Sequence, residues 1–214
     1  MPAAKICGLT EPLSLDAALA GGARFIGLVF HPKSPRALPL SRAVPLAERA
    51  RGRAEIVAVT VDASEPDLEA IHAALKPDWI QLHGSESPAR AAAAARVARV
   101  IKALPVSAAA DLAAAASFDG VADMLLFDAK PPPGAERPGG HGAAFDWRLL
   151  AGRSFSRPWF LSGGLTPGNV AEAAAISGAR FVDASSGLEH APGLKDPALI
   201  AAFLAAANSF EPAS

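Results

Sequence analysis

Short apolar runs alternate with alanine- and leucine-rich segments along the whole chain. The runs are rich in β-branched or aromatic residues, and each is four to seven residues long. They predict eight strands, at Ala4–Cys7, Phe25–Phe30, Ile56–Asp62, Trp79–His83, Arg99–Ala103, Met124–Asp128, Trp159–Ser162 and Phe181–Ala184. Most of them are continuously apolar rather than alternating, which is typical of parallel strands covered on both faces.

The segments between these runs have the composition and the punctuation of helices. Alanine is the best helix former, and a serine or aspartate followed by proline, as at Ser87-Pro88 and Asp196-Pro197, is typical of a helix start. Glycines such as Gly178 follow several segments as stop signals. The predicted helices are Leu13–Gly21, Ser41–Arg51, Asp67–Ala74, Pro88–Ala98, Ala108–Phe118, Asp146–Leu150, Pro167–Ser177 and Pro197–Asn208.

Eight βα units in 214 residues predict a single-domain α/β protein, a (β/α)8 barrel over residues 1–214. An open doubly wound sheet is the alternative architecture. No linker-like segment divides the chain into two domains. The one long Pro/Gly-rich stretch, residues 131–142, follows the sixth strand, where it is either a loop at an active site or a surface insertion.

The composition argues against several classes of function. The net charge is −1 and basic residues form no run, so a nucleic-acid partner is not expected. No stretch approaches about 18 apolar residues, and the N-terminus lacks the apolar core of a signal peptide, so we expect no membrane association. The single cysteine excludes an internal disulfide and favours a cytoplasmic location, and no Cys/His cluster has the spacing of a metal site. A small molecule remains as the expected substrate class, and a monomer and a homodimer are both open alternatives.

Polar residues at strand ends are the candidates for chemistry, because the active sites of βα barrels lie at the carboxyl ends of the strands. Cys7 ends the first strand and is either an inert core thiol or a reactive group. Asp128 ends "MLLFDAK", where apolar neighbours favour a protonated acid; it could instead cap a loop or pair with a lysine. Arg36 lies in a proline-bounded loop and could hold a carboxylate or phosphate. His83 and Asp62 are compatible with structural roles as well as functional ones.

Two small-residue loops indicate a phosphate site. Gly163-Gly164 follows the seventh strand and precedes a predicted helix start at Thr166-Pro167, while Ser185-Ser186 follows the eighth strand. Glycine lets the backbone approach an anion, and free N–H groups at a helix start favour negative charge. Because barrels often bind phosphate between strands seven and eight, we predict phosphate binding here.

Taken together, seven segments resemble the phosphoribosylanthranilate isomerase family. They occur in family order over essentially the whole chain, as "KICGLT", "FIGLVFHPKSPR", "QLHG", "LLFDAK", "GGHGAAFDW", "LSGGLTPGNV" and "VDASSGLEHAPGLKD". The resemblance implies a (β/α)8 barrel without cofactor or metal. It also implies an Amadori rearrangement of N-(5-phosphoribosyl)anthranilate to 1-(2-carboxyphenylamino)-1-deoxyribulose 5-phosphate, a step of tryptophan biosynthesis.

The resemblance also implies roles for individual residues. Cys7 matches the general base and Asp128 the general acid. Arg36 matches the residue that holds the anthranilate carboxylate. The loops with Gly163, Gly164, Ser185 and Ser186 match the phosphate site, and we add His83, in the matching "QLHG" segment, to the predicted substrate-binding set. One position departs from the family pattern. His141 stands where a small hydroxyl residue is expected, in the loop after the sixth strand, so the resemblance does not extend to the details of how that loop closes.

Two hypotheses can be tested against a structure. Lys5 lies two residues before Cys7 on the same strand face, so its charge could favour the thiolate; alternatively, Lys5 pairs with a neighbouring acid.

Two other functions compete with the isomerase, namely another phosphosugar enzyme and a phosphosugar-binding barrel without catalysis. The Cys7/Asp128 pair argues against an epimerase or a synthase, which would require other strand-end groups. A binding barrel would keep the Gly/Ser loops without needing the pair, and an assay of substrate turnover separates it from the isomerase.

Overall fold

The protein folds into a closed barrel of eight parallel strands in sequential order. The computed structural model describes residues 2–131, 134, 139–140, 142 and 144–209. The barrel strands are β1 (Ala3–Cys7), β2 (Phe25–Val29), β3 (Glu55–Thr60), β4 (Trp79–Leu82), β5 (Arg99–Val106), β6 (Met124–Ala129), β7 (Trp159–Leu161) and β8 (Phe181–Ala184). All eight predicted strands are confirmed, and the open-sheet alternative is excluded by the pairing of β8 with β1.

Helices surround the barrel. They are α1 (Pro12–Ala20), α2 (Leu40–Ala50), α3 (Glu65–Leu75), α4 (Pro88–Ala94), α5 (Val170–Ser177) and α6 (Pro197–Ser209). In the fifth and sixth units the predicted helices are 3₁₀ helices instead, at Ala109–Phe118 and Trp147–Leu149. None of the helices in the described residues is long and apolar enough to cross a membrane.

The predicted start of α5 at Thr166-Pro167 is wrong, and a side chain explains the difference. Asn169 Oδ1 accepts a hydrogen bond from the Thr166 N–H at 2.7 Å, and Asn169 Nδ2 donates to the Gly164 carbonyl at 3.0 Å. These bonds hold residues 164–169 in a turn, so α5 begins only at Val170. The turn fixes the backbone that follows Gly163-Gly164.

Aromatic side chains fill the lower part of the barrel. Phe25 makes edge contacts with Phe160, at 5.2 Å between ring centroids, and with Trp79, at 6.1 Å. Phe181 packs against Phe160 at 5.3 Å. A second apolar layer lies between the strands and the helices, so the strands are buried on both faces as their composition predicts. With the lower part of the barrel filled, open space remains at the carboxyl ends of the strands.

A short antiparallel hairpin after β8 was not predicted. It consists of β9 (Glu189–Ala191) and β10 (Leu194–Lys195), and it follows a 3₁₀ turn at Ser186–Leu188. Its register sets Lys195 opposite Glu189. The hairpin therefore adds two charged residues to the rim of the barrel.

Candidate active site

One cavity of about 840 Å³, including its open mouth, lies at the carboxyl ends of the strands. Its lining contains every residue that the sequence predicted for catalysis or substrate binding. These residues are Cys7, Arg36, His83, Asp128, Gly163, Gly164, Ser185 and Ser186. The structure thus brings together residues that are up to 179 positions apart in the chain.

Cys7 is the last residue of β1 and is only 8 % exposed. Burial raises the pKa of its thiol, the positive charges of Lys5 and Lys195 oppose that rise, and the negative charge of Asp183 adds to it. The net direction is upward, so the surroundings do not produce the low-pKa thiol that an electropositive setting would give.

Lys5 fits both hypotheses, because it pairs with a neighbouring acid and its charge also acts on the Cys7 thiol. Its ammonium donates to Asp183 Oδ1 at 2.9 Å, and both side chains are buried. Burial lowers the pKa of Lys5, but Asp183 and Cys7 together raise it above its ordinary value, so the lysine stays charged. Lys5 therefore pairs with a neighbouring acid and also favours the thiolate of Cys7.

Asp128 lies near the end of β6, on a different arc of the barrel mouth from Cys7. The expected burial is confirmed, since the residue is 8 % exposed. Its Oδ1 accepts from the Ala129 N–H at 2.9 Å, and its Oδ2 lies 3.1 Å from His83 Nε2. Lys130 lines the cavity but makes no ion pair with Asp128 among the described residues.

A glutamine sets the proton on the His83 ring. Gln81 Nε2 lies 2.7 Å from His83 Nδ1. An amide N–H is a donor, so Nδ1 accepts and the neutral ring carries its proton on Nε2. His83 then donates that proton toward Asp128. Gln81 Oε1 is buried and has no hydrogen-bond partner among the described residues.

Arg36 is buried and already has one carboxylate partner. Its Nε and Nη2 donate to the two oxygens of Glu189 at 2.6 and 2.8 Å. This bidentate contact uses one edge of the guanidinium. The other edge, formed by Nη1 and the second Nη2 proton, makes no hydrogen bond within the described part of the chain and faces the cavity wall at Gly140.

The predicted phosphate loops lie directly against each other. A Cβ built on Gly187 would be 2.1 Å from the Leu165 carbonyl oxygen, so only glycine permits this approach. The Ser186 and Gly187 N–H groups belong to the first turn of a 3₁₀ helix, where the helix itself offers them no acceptor. These N–H groups and the Gly163-Gly164 turn together form the small-residue part of the cavity wall.

Glycines from the loop after β6 contribute to the cavity wall as well. Gly139 lies against Asp128 Oδ2 and His83 Nε2, and Gly140 lies against Nη1 of Arg36. This loop therefore contacts both the acid and the guanidinium, as expected for an active-site loop rather than a distant surface insertion. His141, the departure from the family pattern, lies outside the described residues.

Sequence reasoning assigned no role to three charged residues of the site, Asp183, Glu189 and Lys195. All three occur within the "VDASSGLEHAPGLKD" segment, so a search for charges next to the phosphate loop would have found them. Asp62, which was left between a functional and a structural role, has the structural one. Its Oδ1 accepts the Ser85 N–H at 2.8 Å and so caps the next loop.

The family model described as N-(5'phosphoribosyl)anthranilate (PRA) isomerase matches residues 4–206. The chain is 55 % identical over 205 residues to N-(5'-phosphoribosyl)anthranilate isomerase of Caulobacter vibrioides, covering 94 % of this chain and 93 % of the relative. The corresponding protein of Rhodopseudomonas palustris is 53 % identical over 209 residues, covering 97 % and 96 % of the two chains.

Solved structures agree with the sequence comparison. The crystal structure of phosphoribosyl anthranilate isomerase from Thermotoga maritima superposes with a TM-score of 0.88 at 31 % identity, covering 98 % of this chain and all of the other. A phosphoribosyl anthranilate isomerase in complex with reduced 1-(o-carboxyphenylamino)-1-deoxyribulose 5-phosphate gives 0.85 at 30 % identity, with the same coverage. This chain belongs to the N-(5'-phosphoribosyl)anthranilate isomerase family.

Proposed function

We propose that this chain converts N-(5-phosphoribosyl)anthranilate to 1-(2-carboxyphenylamino)-1-deoxyribulose 5-phosphate, with Asp128 as general acid and Cys7 as general base. The observation that carries this proposal is one cavity with a thiol on β1 and a carboxyl group on β6. Two strands, β7 and β8, separate them along the barrel. An acid and a base on opposite sides of a bound sugar are what the rearrangement requires.

Asp128 acts first. The protonated carboxyl group gives its proton to the ring oxygen of the furanose, the ring C–O bond breaks, and the sugar opens to a Schiff base. The Ala129 N–H and the His83 ring hold the two carboxyl oxygens in a fixed orientation. Such positioned proton transfer typically accelerates a step by about 10²–10⁴-fold.

Cys7 acts second, as a thiolate. It removes the proton from C2′ of the Schiff base, and the electrons of that bond move to give an enolamine, which tautomerises to the ketone. Substrate binding expels water, and the Lys5 and Lys195 charges then favour the thiolate at short range. These two steps move protons within one substrate molecule and transfer no electrons to an acceptor, so the reaction requires no cofactor.

The two charged ends of the substrate are bound by different parts of the wall. We assign the phosphate to the Gly163-Gly164 and Ser185-Ser186 loops, whose backbone N–H groups suit an anion. We assign the anthranilate carboxylate to the open edge of Arg36. His83 has both ring nitrogens engaged, by Gln81 and by Asp128, so its own contact with substrate stays a prediction.

The direct test follows the loss of phosphoribosylanthranilate fluorescence in the presence of the purified chain. We expect turnover without added metal or nucleotide, with the deoxyribulose phosphate as product. Binding of the substrate without turnover would favour a non-catalytic phosphosugar-binding barrel. No binding, together with activity on another phosphosugar, would favour a different enzyme and contradict the proposal.

A further inference from the structure

The hairpin β9–β10 contributes a buried charge cluster to the cavity rim. The cluster consists of Arg36, Glu189 and Lys195, whose side chains are at most 6 % exposed. Glu189 accepts from Nε and Nη2 of Arg36, from the Lys195 ammonium, and from the Gly193 N–H at 3.2 Å. The carboxylate is therefore fully used within the cluster.

The geometry decides which edge of Arg36 the cavity receives. The stem of Arg36 lies against Gly8, and Glu189 holds the Nε/Nη2 edge, so the guanidinium cannot rotate without losing two charge-assisted hydrogen bonds. Nη1 is thereby directed to Gly140, a residue of the cavity wall. The cluster holds two cations and one anion, and a ligand carboxylate would neutralise the remaining charge.

The same cluster is connected to the strand of the thiol. The Lys195 ammonium donates to the Ser185 carbonyl oxygen at 3.2 Å and to Ser185 Oγ at 3.4 Å. Ser185 Oγ in turn donates to the Cys7 carbonyl oxygen at 3.1 Å. The Lys195 ammonium thus contacts Glu189, the partner of Arg36, and is linked through Ser185 to the backbone of Cys7.

We propose that Glu189 and Lys195 are positioning residues, which orient Arg36 for the substrate carboxylate and tie that orientation to the strand end that carries Cys7. The proposal rests on the proposed function, because it assigns Arg36 to the carboxylate and Cys7 to the proton. Neither Glu189 nor Lys195 acts on the reacting atoms. Their effect passes through Arg36 in substrate binding and through Lys195 in the field at the thiol.

A second buried lysine–glutamate pair in the same protein supplies a matched control. Lys102 Nζ donates to Glu86 Oε2 at 2.7 Å and to the Gly84 carbonyl oxygen at 2.7 Å. Glu86 Oε1 accepts the Asp62 N–H at 2.9 Å, so this pair joins the loops after β3 and β4. Neither residue lines the cavity. Breaking it should reduce stability without changing the recognition of a carboxylate.

The test compares Glu189→Gln with Glu86→Gln in thermal unfolding and in steady-state kinetics with phosphoribosylanthranilate. We expect both variants to unfold at lower temperature, and only Glu189→Gln to raise KM, by about tenfold or more, as for a misplaced charged hydrogen bond. kcat should change less than KM. An unchanged KM in Glu189→Gln, or an equal rise in Glu86→Gln, would overturn the proposal.

If Glu189→Gln fails to fold, the pair Glu189→Gln/Lys195→Met removes one charge of each sign and keeps the net charge of the cluster. Its KM should rise as in the single variant. In an Arg36→Met background, Glu189→Gln should raise KM no further, because the glutamate acts through the arginine. A full additional rise there would contradict the positioning role.

A readout without substrate separates this inference from the proposed function. Thiolate absorbance of Cys7 should titrate at higher pH in Lys195→Met than in wild type, with Lys5 and Asp183 left in place, and Lys102→Met should leave the titration unchanged. An equal titration in Lys195→Met and wild type would overturn the link to the thiol. Absence of turnover by the wild-type chain would instead refute the function while leaving this shift intact.

Discussion

The two sides of the catalytic cavity are built from different kinds of polar group. Around Cys7 the neighbours are buried charges, namely Lys5, Asp183 and Lys195. Around Asp128 the partners are neutral dipoles, the Ala129 N–H and the His83 ring. A thiol must lose its proton to act as a base, and nearby positive charge partly offsets the desolvation of the thiolate. At Asp128 the Ala129 N–H and the His83 ring orient the two carboxyl oxygens, as the role of a general acid requires.

The largest effects are expected when either proton-transfer group is removed, and the base side is tested by removing its thiol. Cys7→Ala removes the group that we assign to take the C2′ proton, so we expect kcat to fall by about 10²–10⁴-fold, with a smaller change in KM. Steady-state kinetics from substrate fluorescence measure both. Cys7→Ser, which keeps the size but not the acidity of the group, should be nearly as slow. A kcat near the wild-type value in Cys7→Ala would remove the base assignment.

The acid side is tested by Asp128→Asn, which keeps an oxygen for the Ala129 N–H but has no proton to give. We expect kcat to fall by about 10²–10⁴-fold here too, since ring opening loses its acid. Circular dichroism and thermal unfolding should show an intact fold, as the substitution is nearly isosteric. Full activity in this variant would mean that another group protonates the ring oxygen.

Removing a charge from the base side should shift the pKa of the Cys7 thiol rather than abolish the reaction. Lys5→Met deletes a cation that favours the thiolate, so the pKa of Cys7 should rise further and the rate near neutral pH should fall. The variant also leaves Asp183 buried without its partner, and breaking such a pair costs about 3–5 kcal/mol.

The control for that experiment is Lys5→Met combined with Asp183→Asn. Removing the Lys5 charge should raise the pKa of Cys7, and removing the Asp183 charge should lower it. The thiol of the double variant should therefore titrate closer to wild type than that of Lys5→Met does. Thiolate absorbance measures both variants without substrate. If Lys5→Met leaves the thiol pKa where it was, the lysine serves only as the partner of Asp183.

The smallest effect is expected on the acid side, at Gln81. Gln81→Leu removes the donor to His83 Nδ1, so the ring is no longer held with its proton on Nε2. Loss of one hydrogen bond of about 0.5–1.5 kcal/mol should lower kcat by about 2–10-fold. Nitrogen NMR of the His83 ring should show mixed tautomers in Gln81→Leu, and Gln81→Glu should favour a proton on Nδ1. A ring that keeps the Nε2–H form in both variants would contradict this role.

Much of the barrel could be predicted because its strands are continuous apolar runs between clear helix signals. The strand ends then located the cavity, and the resemblance selected Cys7, Asp128 and Arg36 among its polar residues. The hairpin β9–β10 was missed because strands of three and two residues carry no periodicity. The helix α5 begins late because a side chain, Asn169, closes the turn before it.

The electrostatics of the thiol could not be predicted from the sequence. A lysine two residues away indicated a lower pKa, but the direction depends on how deeply the thiol is buried and on the sign of every neighbour. Asp183 is 176 positions from Cys7 and reaches it only through the pairing of β8 with β1. Long-range contacts of this kind also bring Glu189 to Arg36.

The most direct test of the account compares two titrations of the wild-type protein. The pH dependence of kcat/KM reports the ionisation of the free enzyme, and thiolate absorbance reports Cys7 itself. Because burial raises the pKa of the thiol, we predict an ascending limb on the alkaline side of an ordinary cysteine titration, and this limb should coincide with the absorbance titration. A limb at a pH where the thiol absorbance does not change would show that Cys7 is not the base.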